Sequence, residues 1–103
     1  MNTLEYLAYK EDQEALKNKT MNGAIMKYGC DKQTDVAIEE MAELTQSLIH
    51  NRRGRPANIP EEIADVEIML EQLKIIHGCA VEVEKQKDAK IKRLALKLRQ
   101  KEE

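Results

Sequence analysis

Within each segment of the chain the apolar residues fall at helical spacing, and nowhere do they alternate with polar ones over the length of a useful strand. That period predicts an all-α chain. Few breakers interrupt it. A first helical region starts after Thr3, which can cap it, and runs through "LEYLAYKEDQEALKNKTMNGAIMKY" to Gly29, a natural stop. Asn18, Thr20, Asn22 and Gly23 weaken its middle, so the pattern fits one helix or two. Asp31 reads as the N-cap of a second helix carrying "VAIEEMAELTQSLIHN", which ends before "RRGRPANIP", the one convincing loop in mid-chain. Asn58 and Glu61 then stand at capping-box spacing, and Pro60 suits a first helical turn, so a third helix runs from there to about His77, with Gly78 as its stop. From about Val81 the chain reads as a last helix, "VEVEKQKDAKIKRLALKL", fraying into "RQKEE". Its Ile91, Leu94, Leu96 and Leu98 keep no strict heptad, which argues against a long coiled coil. The expectation is a single domain over residues 1–103, a helical bundle of four to five helices.

Composition sharpens this picture in one respect. With 103 residues, no Trp, no Phe and three Tyr, the core must be built from Leu, Ile, Val, Met and Ala, and little of it fits inside one copy. A homo-oligomer, dimer or tetramer, is expected to supply the missing buried area. The five Met read as core filler. The net charge of -2 argues against duplex nucleic acid as the main partner. Charge is nonetheless segregated: Glu61, Glu62, Asp65, Glu67 and Glu71 lie together with no base among them, while Lys85, Lys87, Lys90, Lys92, Arg93, Lys97, Arg99 and Lys101 face only Asp88. Cys30 and Cys79 stand far apart with no zinc-type spacing to each other or to His50 and His77. With no signal peptide and no apolar run long enough for a bilayer, they point to a reduced, cytoplasmic protein with no membrane partner.

Two knots of like charge carry the candidate chemistry. On the second helix Ile38, Met41, Ala42, Leu44, Leu48 and Ile49 form a broad apolar face at about 100° per residue, with Glu39, Glu40 and Glu43 fanned across the opposite side. Taken alone that is an ordinary solvated face. On the third helix Ile63, Val66, Met69, Leu70, Leu73 and Ile76 make one stripe that contains Glu62, with Asp65 about one step off its edge, while Ala64, Ile68 and Ile75 line another side. A carboxylate set among aliphatic side chains must be neutralised, paired or bound to metal, and apart from Lys74 this helix offers no base. If the second and third helices lie antiparallel across their short loop, the two acidic groups meet and need a cation. Oxygen ligands of this kind select Mg²⁺ or Mn²⁺.

The residues spell EExxE (Glu39, Glu40, Glu43), then residues 44–61, then ExxD (Glu62, Asp65), with "YG" before, "AIEEMAEL" around the first half and "EEIADVEIMLEQL" around the second. Over roughly residues 24–100 this resembles the MazG-like all-α nucleoside triphosphate pyrophosphohydrolases. The resemblance implies a four-helix-type bundle that assembles as a dimer or a dimer of dimers. It also implies Mg²⁺ held by Glu40, Glu43, Glu62 and Asp65, and cleavage of a nucleoside triphosphate between the α and β phosphates to give the monophosphate and pyrophosphate. Glu39, the remaining acid, takes a supporting role, completing a second metal site or orienting the attacking water.

The chemistry agrees with that implication. Phosphoanhydride hydrolysis needs charge neutralisation, a positioned water and a stabilised leaving group, which metal ions supply without a protein nucleophile, and no nucleophile arrangement or GxxxxGK[ST] loop is visible. Lys90 and Arg93, at i, i+3 on the last helix, match a Lys-x-x-Arg of many relatives and can bind phosphate. Arg52, Arg53 and Arg55 could grip it from the loop instead. With no Trp or Phe to stack on a base, only Tyr6, Tyr9 and Tyr28 are aromatic candidates, and each fits surface packing better than base reading. The expected substrate is an ordinary or damaged deoxynucleoside triphosphate in a house-cleaning or pool-balancing role. Two other readings stay open: a phosphoribosyl-ATP pyrophosphohydrolase on the same scaffold, and a non-enzymatic helical oligomerisation or regulatory module whose acidic helix meets a basic partner.

Overall fold

The computed structural model describes the backbone of residues 1–102 and the side chains through residue 100. Four helices follow one another: α1 (Thr3–Tyr28), α2 (Cys30–Arg52), α3 (Ile59–Ile76) and α4 (Ala80–Glu102). No strand occurs among the described residues, and none of the helices is long and apolar enough to cross a membrane.

The helix ends follow from local chemistry, with three shifts from the sequence reading. The cap of α1 is Asn2, not Thr3: its side chain accepts from the Glu5 N–H at 2.8 Å, and the Glu5 carboxylate accepts in turn from the Asn2 N–H, a complete capping box. The polar stretch around Asn18 and Thr20 does not break α1. Thr20 Oγ1 donates to the Leu16 carbonyl and Asn22 Nδ2 to that of Asn18, so both side chains fold back onto the helix they were expected to weaken. Gly29 ends α1 at φ 92°, ψ 156°, a conformation nearly closed to residues with a Cβ. The same glycine is the N-cap of α2, whose first residue is Cys30, so Asp31 lies in the first turn, where its charge favours the positive helix end, and makes no cap. Asn58 caps α3, accepting from the Glu61 N–H at 3.4 Å, with Pro60 in the first turn. No breaker follows Val81, and α4 continues through the tail expected to fray; Glu103 lies outside the described residues.

The helices α2 and α3 form an antiparallel hairpin and make most of the tertiary contact; α1 touches both more sparsely, and among the described residues α4 touches only α3. Among the described residues, only Met21, Ala37, Val66 and Met69 of the apolar ones are buried. The chain exposes 8576 Å², whereas a compact folded protein of 11.9 kDa exposes about 6,000 Å². Its radius of gyration is 17.8 Å, against about 13 Å for a compact domain of this length. The amino-terminal half of α1 and the carboxy-terminal half of α4 account for much of the difference, since every described residue from Met1 to Leu16 and from Glu84 to Gln100 is exposed.

Candidate metal centre

The α2–α3 hairpin sets the geometry of the acidic groups. Gln33 Nε2 donates to Gln72 Oε1 at 2.7 Å, and Gln72 Nε2 reaches Met69 Sδ at 3.6 Å. Both glutamines are buried, and their bond joins the two helices across the antiparallel contact. Seven residues forward on α2 is Glu40, and seven residues back on α3 is Asp65. Seven residues is close to two helical turns, so these two return to the face that carries the glutamines, with Glu62 one turn before Asp65.

One carboxylate oxygen from each of Glu40, Glu62 and Asp65 lies within 4.8 Å of the other two, and all three side chains are half-buried. Glu43, one turn beyond Glu40 on α2, is exposed at the rim, yet its charge acts on both glutamates of the cluster. Glu40 Oε2 and Glu62 Oε2 are buried atoms with no hydrogen-bond partner among the described residues. The Glu40 carboxyl is pushed above the usual value of 4.5 first by desolvation, then by the charges of Glu43 and Asp65. Glu62 is raised in the same way, by desolvation and then by Glu43, Asp65 and Glu61. No base relieves the crowding: among the described residues the ion pairs link Lys17 to Glu14 and Glu71, Lys74 to Glu71, Lys87 to Glu84 and Lys92 to Asp88, and none reaches the cluster.

This placement corrects one inference from the periodicity. Glu40 does not sit opposite the packing face of α2. It shares the α3-facing side with Gln33, Val36, Ala37, Leu44 and Ser47, whereas Ile38, Met41, Leu48 and Ile49 point outward and are exposed. Hydrophobicity alone chose the wrong face because the apolar side is the one left uncovered in a single copy.

A donor set made only of carboxylate oxygens, two of them buried and unpartnered, fits a hard divalent cation such as Mg²⁺ or Mn²⁺; it holds no sulfur or imidazole to favour a softer metal. Glu40, Glu62 and Asp65 would ligate directly, and Glu43 could join them by a rotamer change or through water. Glu39 lies about 100° around α2 from Glu40 and is exposed. Lys90 and Arg93 are exposed on α4 and pair with no residue of the cluster. Arg52 and Arg53, with Ile49, line a shallow surface hollow at the end of α2, and Arg55 is exposed in the loop. Tyr6, Tyr9 and Tyr28 are all exposed along α1. The residues not foreseen are Gln33 and Gln72, although a polar side chain on the same helical stripe as Glu40 and Asp65 was the signal available.

Compared with family models, with curated proteins and with solved structures, the chain finds no match in any of the three.

Proposed function

We propose that the protein is a Mg²⁺-dependent nucleoside triphosphate pyrophosphohydrolase, cleaving between the α and β phosphates to give a nucleoside monophosphate and pyrophosphate. The observation that carries this reading is the convergence of Glu40, Glu62 and Asp65 from two helices, with two buried oxygens lacking any partner. Ionised carboxylates so placed cost stability that a bound cation would relieve, and groups perturbed in this way cluster at functional sites. The order of the acids along the chain, EExxE followed by ExxD, resembles the MazG-like pyrophosphohydrolases and supports the same assignment.

In this reading Glu40, Glu43, Glu62 and Asp65 would hold Mg²⁺, or Mn²⁺ in its place. When bound, the cation would neutralise charge on the triphosphate and lower the pKa of an attacking water. The chain itself contributes three things. The rigid α2–α3 register fixes the carboxylates before substrate arrives, which limits the reorganisation needed at the reacting centre. Glu39 orients the attacking water or completes a second cation site. Lys90 and Arg93 bind phosphate oxygens, and they would do so from an assembled homodimer or homotetramer. The nucleotide is small, and no nucleic acid or membrane partner is required; the expected setting is cytoplasmic nucleotide-pool maintenance.

The test is incubation of the purified protein with Mg²⁺ and a panel of ordinary and damaged ribo- and deoxynucleoside triphosphates, with assay of both products. Equimolar monophosphate and pyrophosphate from at least one of them is the expected result. Release of orthophosphate instead would place the cut elsewhere. No hydrolysis of any triphosphate, together with no binding of Mg²⁺ or Mn²⁺, would overturn the proposal.

A further inference from the structure

We draw no further inference here: the strongest candidate, the open apolar groove of about 930 Å³ between α1, α3 and α4, carries Lys17, Lys74 and Lys87 against Glu67 and Glu71 in its lining, so its charge selects no occupant and nothing in the structure shows what covers it.

Discussion

Replacing Gln72 by Leu tests the register on which the acidic geometry depends. Gln72 is 5% exposed and Gln33 is 7% exposed, and the 2.7 Å bond between them is the one cross-helix side-chain hydrogen bond of the α2–α3 hairpin among the described residues. The substitution keeps the volume nearly constant but leaves the Gln33 amide without its acceptor. A buried donor left unpaired costs about 1–3 kcal/mol, and the added apolar burial of Leu offsets part of it, so the expected net loss is about 1–2 kcal/mol. For a chain of this size, that lowers Tm by about 5–15 °C. Gln33→Leu should cost a similar amount. The double substitution behaves differently, because with both partners apolar no group is stranded, and stability should return to about the wild-type value. The assay is urea unfolding followed by far-ultraviolet circular dichroism at one fixed chain concentration, since an oligomer's stability depends on it. A double variant that loses the sum of the two single losses would refute the claim that the pair acts as a unit. If the register account holds, each single variant also weakens divalent-ion binding at the cluster two turns away.

Further outcomes follow from the same structure. Because Glu40 and Glu62 are raised above 4.5, the folded state holds their protons more tightly than the unfolded state does. Their contribution is therefore favourable below the unfolded value and is lost as pH rises through the folded values. Without divalent ion, the stability difference between wild type and a Glu40→Gln, Glu62→Gln variant should widen from acid to neutral pH, with the variant more stable at pH 7; saturating Mg²⁺ should remove the wild type's deficit, as thermal unfolding at several pH values would show. Gly29→Ala should destabilise by about 1–3 kcal/mol, purely through the backbone, since φ is 92° and a Cβ there would meet open space; a loss near zero in chemical denaturation would contradict this. If Lys90 and Arg93 bind phosphate, replacing both by Ala should lower kcat/KM by about tenfold or more, mainly through KM, with divalent-ion affinity unchanged.

Much of the fold was legible because helix periodicity and breakers are local signals. Gly29, Gly78 and the Asn58–Pro60 segment mark helix ends that the structure keeps within a residue or two. Fine detail was less so. Asn2 capped α1 in place of Thr3, and the polar residues near Thr20 satisfied themselves on the helix, since side-chain rotamers decide between breaking and bonding back. The orientation of α2 was misread for a more instructive reason. Its outward residues Ile38, Met41 and Ile49 are as apolar as a core face, and sequence alone does not distinguish a face buried within one copy from one left for another. Spacing put Glu62 in the apolar stripe of α3 with Asp65 just off its edge, and the antiparallel hairpin brings Glu40 to both. What no local pattern could specify was the Gln33–Gln72 pairing, which depends on the register between two helices and joins residues 39 positions apart.

If Glu40, Glu62 and Asp65 hold a divalent cation, calorimetric titration of the metal-free protein with Mn²⁺ and Mg²⁺ will register it. Saturable binding in the wild type, abolished by Glu62→Gln while far-ultraviolet circular dichroism shows the helices intact, is the predicted result. Heats that never saturate, or binding that Glu62→Gln leaves unchanged, would contradict it.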